Sequence, residues 1–328
     1  VISWVIGRGG LLGHSVEQAF AASSTVWHPL RRFTWDDPRA IEHELTMACR
    51  AFDEVVGSSP WQIAWCAGVG VASSGSKDLE QETHTFALLL ARVTEELSAK
   101  GTGPGALFLA SSAGGLYAGS HAPPFHEDTP VAPLAPYGWN KLAQESLARS
   151  WSRDTATPLL IGRISNLYGP RQKLQKNQGL ITRVCLQVLI HQPLILYVPL
   201  DTIRDYLFAD DAGRLIADGM ERLRLEPSPN ATTPVVIKVF ASQQPATIAS
   251  VLAEFRWILK RPVHVIMAAS PDARHQVRDL RLNSSIWPEL DRRPLTILSA
   301  GIRSVLTSIL ATSREGKIGS DAVSLSNR

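Results

Sequence analysis

Tyr137 and Lys141 are four residues apart, so on a helix they share one face. A free phenol has a pKa of about 10 and is a poor acid or base near neutrality. A close ammonium favours the phenolate and lowers that value by roughly 1–3 units, and a serine hydroxyl can bond the reacting oxygen. Ser111 and Ser112 stand about 25 residues earlier, in Ala110-Ser111-Ser112-Ala113-Gly114 at the end of a strand-like run. A Tyr-x-x-x-Lys pair alone recurs by chance. One that follows a strand-end Ser-Ser and, further back, a glycine loop reads as a site for moving a proton at a carbinol or carbonyl oxygen.

The glycine loop is Gly7-Arg8-Gly9-Gly10-Leu11-Leu12-Gly13, with the spacing GxxGxxG through Gly7, Gly10 and Gly13. It follows a strand predicted over 3–6 and opens a helix predicted over 12–22. Glycines there allow a tight turn and let backbone approach a pyrophosphate, which the helix N-terminus stabilises. Ordinary turns also use glycine, but the strand before and the helix after favour nucleotide binding. Past the second strand, NAD sites usually carry an acid for the adenine ribose. Here His28-Pro29-Leu30-Arg31-Arg32 holds none, and the first acid is Asp36. Two guanidiniums suit a 2′-phosphate, the alternative being a solvated surface pair. Arg8, inside the loop, tips the expectation toward NADP, with NAD the alternative.

The elements that must position these groups follow from periodicity. Buried strands are predicted over 3–6, 25–30, 62–66, 106–110 and 159–164, and helices over 12–22, 38–56, 79–100 and 136–153. Such alternation implies an α/β fold, a doubly wound parallel sheet with helices on both faces. Beyond Asn166 the rhythm loosens. A helix over 180–190, a strand over 194–198 and a strand-to-helix piece over 205–225 follow, then strand 235–240, helix 247–259, strand 263–267 and a helix near 295–310. Residues 1–165 read as the dinucleotide-binding domain, with 204–245 returning to it. Residues 166–203 and 246–312 read as a smaller, discontinuous C-terminal lobe, and 313–328 as a flexible tail.

Composition narrows the functions. A chain of 328 residues with 45% apolar and 19% charged residues has material for a packed core and is no disordered polymer. A net charge of +3 with no Lys/Arg run excludes a nucleic-acid footprint. Cys49, Cys66 and Cys185 form no CxxC pair, and the nine histidines show no metal spacing, so no metal site is expected. His121 and His126 fall in a Pro-rich loop. The apolar stretch 184–200 is interrupted and too short to span a membrane. The first apolar run stops at Gly7-Arg8, so no signal peptide is expected and the cytoplasm is the expected location. Trp61, Trp65 and Trp139 read as packing, with Trp139 able to wall a pocket beside Tyr137. Asp210-Asp211 read as the favourably charged start of a helix.

Over nearly its whole length the chain resembles the extended short-chain dehydrogenase/reductases of the NAD-dependent epimerase/dehydratase type, which act largely on nucleotide sugars. The resemblance runs through the glycine loop, Trp65-Cys66-Ala67-Gly68 at the family's fourth strand and the Ser/Tyr/Lys set. It continues through Arg163-Ile164-Ser165-Asn166-Leu167-Tyr168-Gly169-Pro170 and Arg204-Asp205-Tyr206-Leu207-Phe208-Ala209-Asp210-Asp211. It implies a Rossmann domain with a substrate lobe, with Tyr137 as acid/base and Lys141 on the nicotinamide ribose. A Ser/Thr would polarise the substrate oxygen. Gly7, Arg8, Gly9, Gly10, Leu11, Leu12, Gly13, Arg31, Arg32, Ala67, Gly68 and Ser111 would contact the cofactor. Asn166 and Arg204, with Arg274 a weaker match, would contact the substrate's nucleotide diphosphate. Relatives pair the helices corresponding to 79–100 and 136–153, so a homodimer is expected.

The chain departs from the family in three places. Counting back from Leu116-Tyr117 places the family's Ser/Thr on Ala113. A one-residue slip at Gly114-Gly115 restores Ser112, which is preferred to Ser111. The Asp-Glu pair that family dehydratases carry is replaced by small residues from Ala113 to Gly115, which argues against sugar dehydration. The acid after the second strand is absent. The expected function is a nucleotide-sugar epimerase working by hydride transfer. A NADPH-dependent sugar ketoreductase and a non-catalytic dinucleotide sensor are the alternatives.

Overall fold

The computed structural model describes residues 1–68, 75–98, 103–174, 179–225, 235–269 and 277–314. The chain opens with β1 (Ile2–Ile6), α1 (Leu11–Ala21), β2 (Thr25–Trp27), α2 (Pro38–Val56) and β3 (Trp61–Trp65). Next come α3 (Ser76–Val93), which runs into a π-helical turn over Thr94–Ser98, then β4 (Gly105–Ser112), the single turn α4 (Ala113–Leu116), α5 (Pro136–Thr155) and β5 (Leu159–Ile164). After β6 (Asn166–Tyr168), α6 (Leu180–Leu189), β7 (Leu194–Leu196) and β8 (Ile203–Phe208), α7 (Ala209–Leu225) leads to β9 (Val235–Phe240). The remainder is β10 (Pro245–Thr247), α8 (Ile248–Leu259), β11 (Val265–Met267) and α9 (Leu298–Arg314).

Six strands form the large sheet in the order β2-β1-β3-β4-β5-β9, all parallel. Parallel strands covered on both faces must be apolar on both. Along β1, Trp4 and Ile6 face one layer with Ile41, Leu45 and Phe52 of α2, Phe86 and Leu89 of α3 and Trp151 of α5. Val5 faces the other layer with Val16 and Phe20 of α1 and Leu215 and Ile216 of α7. Phe52 is fully buried, so truncating it to alanine should cost about 3–5 kcal/mol. Helix starts follow local chemistry. Asp37 accepts from the backbone N–H groups of Arg39 (2.9 Å) and Ala40 (3.2 Å), and Pro38 and Pro136 open α2 and α5 at the position where a missing N–H costs nothing.

The smaller lobe holds a three-stranded sheet, β10-β8-β6, and the parallel pair β11-β7. Helices α6, α8 and α9 pack over them through Val184, Phe255, Ile302 and Val305. The segment 204–245, expected wholly with the larger domain, divides. β8 pairs with β6 and β10, and the return to the large sheet begins at α7 and ends at β9. Other boundaries move as well. β2 stops at Trp27 rather than at residue 30, because Pro29 removes a ladder donor and Leu30 stands fully exposed. The strand expected over 194–198 ends at Leu196, and the helix expected over 79–100 begins at Ser76. Residues 99–102 and the tail from 315 lie outside the described residues. Among the described residues, no helix is long and apolar enough to cross a membrane.

A candidate active site at the carboxyl ends of the strands

The glycine loop turns directly out of β1. Gly7 has φ +93°, a left-handed backbone, and a Cβ there would lie 2.5 Å from the Ala67 nitrogen and 2.6 Å from the Cys66 carbonyl carbon. The loop therefore lies against the chain leaving β3, and this contact places Ala67 and Gly68 beside it. The Gly10 N–H donates to the Gly7 carbonyl at 2.9 Å, and a Cβ on Gly13 would come within 2.2 Å of that same oxygen. Above Gly9 the space is open, and no side chain caps Gly10 at the start of α1. The N–H groups of Leu11, Leu12 and Gly13 thus have no intrahelical partner, and the helix dipole adds positive potential there. Uncapped donors beneath an open glycine fit a dinucleotide pyrophosphate.

At the end of β2 the structure adds an acid that the local sequence lacks. Glu17 of α1 is buried, and its Oε1 lies 3.4 Å from Arg8 Nη1 and 3.4 Å from His28 Nδ1. Arg8 Nη1 is also 3.5 Å from His28 Nε2. Arg8 is thereby drawn to Glu17, while Arg31 and Arg32 stay exposed in the loop before Phe33. That loop is held by aromatic contacts of Phe33 with Trp4 and of Trp35 with Trp65. Glu17 lies one helical turn beyond Gly13 on α1.

Tyr137, Lys141, Ser111 and Ser112 come together where β4 meets α5. Gly115 seats the Tyr137 ring, since a Cβ on Gly115 would lie 3.1 Å from its Cε1, and a Cβ on Gly138 would lie 2.2 Å from the Gly115 carbonyl. Small residues at 113–115 therefore bring the start of α5 down onto the strand end. The Lys141 ammonium is 5.9 Å from the Tyr137 ring centroid. Burial depresses the basicity of Lys141, but the Glu82 carboxylate outweighs it and, with Tyr137 and Cys66, holds the ammonium above the usual lysine value. Glu82, on α3, is a site residue that the sequence pattern did not show.

The two serines differ. Ser111 donates inward to Glu145, whose carboxylate also takes two bonds from Arg163; Arg163 in turn donates to the Tyr117 hydroxyl at 2.9 Å. Burial pushes the Tyr117 phenol up, against the pull of Arg163. The Tyr117 hydroxyl itself donates to the His126 carbonyl at 2.8 Å. Ser112 is half-buried and caps α4, its Oγ accepting from the Gly115 N–H at 3.1 Å.

Ser112 is paired with Ile164, so Asn166, two residues on, leaves the sheet beside it. The Asn166 amide donates to the Asp205 carbonyl at 2.9 Å, across the register that joins Asn166 to Tyr206. Arg204 lies on the same face of β8 as Tyr206, two residues back. Its guanidinium bonds the Ile203 carbonyl at 2.8 Å, and burial lowers its pKa against the opposing Tyr206 and Asp279. Arg274 lies outside the described residues. Asp205 is fully buried and ties β8 to the chain after β9, accepting from the Ser242 N–H and hydroxyl, each at 2.8 Å. Trp61 and Trp65 are core residues, whereas Trp139 is 58% exposed on α5. A separate cavity of about 200 Å³ lies in the smaller lobe between Arg171, Thr182 and Val305. Among the described residues, no group of three or more His, Cys, Asp or Glu could hold a metal ion.

A doubly wound sheet with an uncapped glycine turn at β1 and a Tyr/Lys pair after β4 is a dinucleotide-binding architecture. The chain belongs to the NAD dependent epimerase/dehydratase family, whose sequence model matches residues 4–231. It is 30% identical over 197 residues to a dTDP-glucose 4,6-dehydratase of Neisseria gonorrhoeae, covering 56% of this chain and 52% of that protein. The chain spans at most about half the length of the curated relatives it matches. Its fold is that of UDP-glucose 4-epimerase of Thermotoga maritima, solved with UDP-glucose: TM-score 0.74, 17% identity, 95% of this chain and 100% of that one. RMD of Pseudomonas aeruginosa, complexed with NADPH, superposes with TM-score 0.72 at 19% identity, over 94% of this chain and 98% of that one. The family's fourth-strand segment, Trp65 to Gly68, follows the third strand of this chain, and β2 is the sheet edge on that side.

Proposed function

We propose that the protein is a nicotinamide-dependent nucleotide-sugar epimerase. One observation carries the reading: Tyr137 is seated on Gly115 one helical turn from Lys141, and Ser112 at the end of β4 caps α4 by accepting from that same Gly115. The Tyr137 oxygen takes the proton of a sugar hydroxyl as the carbinol is oxidised and returns one to the carbonyl oxygen afterwards. Ser112 donates a hydrogen bond to that same oxygen, where charge develops. Lys141 would hold the nicotinamide ribose, and Asn166 and Arg204 would hold the diphosphate of the substrate. The loop from Gly7 to Gly13, with Ala67 and Gly68, holds the dinucleotide. When bound, the nicotinamide supplies and accepts the hydride.

Dehydration needs a further acid/base pair, and Ala113, Gly114 and Gly115 offer no side chain for it. NADP(H) is the preferred cofactor in this reading, because Arg31 and Arg32 remain exposed and free of the Glu17 contact that engages Arg8. The same pair favours a second reading, a NADPH-dependent ketoreductase that releases its oxidised cofactor after each turnover. A homodimer through α3 and α5 belongs to the proposal as well, on the strength of exposed Trp139 and half-buried Leu142 of α5. The test is mass-spectrometric identification of the co-purified cofactor, then a panel of UDP-, GDP- and dTDP-sugars. Interconversion of two sugars without net cofactor change is expected. Stoichiometric cofactor oxidation would instead establish the reductase, and cofactor binding with no turnover on any sugar would overturn both.

A further inference from the structure

A dinucleotide laid on the glycine loop has a fixed direction. Its pyrophosphate sits at the start of α1, and its adenine ribose sits at the end of β2, where such sites read it about 20 residues past the loop. The adenine ring then falls on the segment from His28 to Asp37, because β2 is the edge of the large sheet and no further strand stands beyond it among the described residues. That segment presents Trp35, 37% exposed. Its indole meets Trp65 at 6.2 Å and 73° and Phe33 at 5.4 Å and 74°, both edge-on. Phe33 in turn leans on Trp4 at 6.4 Å. Trp4 and Trp65 are buried, and each leads straight into the nucleotide loop or its wall. Trp4 belongs to the strand that runs into Gly7, and Trp65 precedes Cys66, whose N–H donates to the Ile6 carbonyl at 2.8 Å. The backbone beside Trp35 is braced too. Glu44 of α2 accepts from the Thr34 N–H at 2.7 Å and from its hydroxyl at 2.9 Å, and Asp37 caps α2.

We propose that Trp35 is the platform on which the adenine ring of the dinucleotide stacks. This rests on the reading of the loop from Gly7 to Gly13 as a dinucleotide site. An indole face receives a flat purine without needing a hydrogen bond. Covering the exposed part of the ring removes apolar area from water, which favours the bound state. Because Phe33, Trp65 and Glu44 already hold the loop, little side-chain and loop freedom is lost on stacking. Arg31 and Arg32 precede Trp35 in the same loop, so one segment reads both the ribose phosphate and the base.

The test uses ADP-ribose, with and without a 2′-phosphate, as the probe. It carries the base, both ribose rings and the diphosphate but no nicotinamide. Calorimetry and tryptophan fluorescence are read on the full chain. Trp35→Leu should bind the probe roughly 5- to 100-fold more weakly, the worth of one stacked base. Trp35→Phe keeps a ring, so it should hold most of the affinity. It should nevertheless lose most of the fluorescence quenching that the probe causes in the wild type, because the quenched indole is the one of nine that has been removed. This second variant separates stacking from damage to the loop. Wild-type affinity in Trp35→Leu overturns the inference, and so does quenching of undiminished size in Trp35→Phe. Both results would leave the dinucleotide reading standing. A wild-type protein that binds neither form of the probe nor any nicotinamide dinucleotide would remove that reading, and the platform with it.

Discussion

The Ser111 hydroxyl donates to Glu145 Oε1 at 2.6 Å, and Arg163 grips the same carboxylate from Nε at 3.1 Å and Nη2 at 2.9 Å. All three side chains are buried. A hydrogen bond to a buried charge contributes roughly 1.5–3 kcal/mol. Ser111→Ala should therefore lower Tm by several degrees while leaving most of the turnover. Ser112→Ala should do the reverse, losing about 10²–10³ in turnover with Tm and cofactor affinity nearly kept. Thermal unfolding and steady-state kinetics on both variants check this. Equal losses of turnover would show that the choice of Ser112 is wrong.

Tyr137→Phe removes one hydroxyl and keeps the ring on Gly115. Turnover should drop by about 10²–10⁴, the usual worth of a positioned proton donor, with cofactor binding intact. Lys141→Ala should lower turnover and weaken cofactor binding together. It also leaves Glu82 without its 2.8 Å ammonium partner, so the protein should melt earlier. Kinetics with cofactor titration by calorimetry separate these effects. Near-normal turnover in Tyr137→Phe would remove the proposed acid/base.

Gly13→Ala sets two effects against each other. Alanine is better than glycine in a helix by about 1 kcal/mol. At this position its methyl carbon would fall 2.2 Å from a backbone oxygen that itself accepts from Gly10. Backbone cannot swing aside as a side chain can, so the clash wins. Tm should fall by at least about 2 °C, the shift expected for 1 kcal/mol in a domain of moderate size. Cofactor affinity should fall with it, because the turn and α1 must move apart. A stabilised Gly13→Ala protein would show that the loop is looser than its geometry.

Much of this was legible in the residues themselves. Each strand of the large sheet beyond β2 is a short, mostly apolar run, broken by residues such as Gln62, Arg163 and Lys238, and alternation of Trp4, Val5 and Ile6 between two layers is the ordinary consequence of a period of two. The three-residue strands β6, β7 and β10 are too short to show any period, so which sheet β8 joined could not be read. Glu17 and Glu82 escaped for another reason. Each sits in an amphipathic helix, where a carboxylate ordinarily reads as part of the solvated face, and only tertiary packing brings Arg8 to one and Lys141 to the other. The serines of β4 were visible as a pair, but the direction of each hydroxyl depends on Glu145 and Gly115, which lie on other elements.

The cofactor preference has its own test. Wild-type protein should bind NADP(H) more tightly than NAD(H), and Arg31→Ala/Arg32→Ala should lose that difference. Calorimetry with all four dinucleotides reads it directly. NAD(H) bound at least as tightly as NADP(H) by the wild type would sink the assignment.

Association is tested by light scattering at micromolar concentration. A mass near twice 35.8 kDa is expected, and Trp139→Glu, placing a charge on the exposed face of α5, should shift it toward a single chain. A wild-type mass of 35.8 kDa would rule out the dimer.

The first turn of α7 carries Asp210 and Asp211, and their carboxylates reach in different directions. Asp210 takes the Ser15 hydroxyl of α1 at 2.8 Å, and Asp211 takes the Thr296 N–H, just before α9, at 2.7 Å. Gly213, one turn on, lets the two helices touch, since a Cβ there would lie 2.3 Å from the Ser15 carbonyl. Helix α7 thus carries both ties in its first turn, so a substitution that displaced that turn would disturb the packing of α1 and the entry to α9 together.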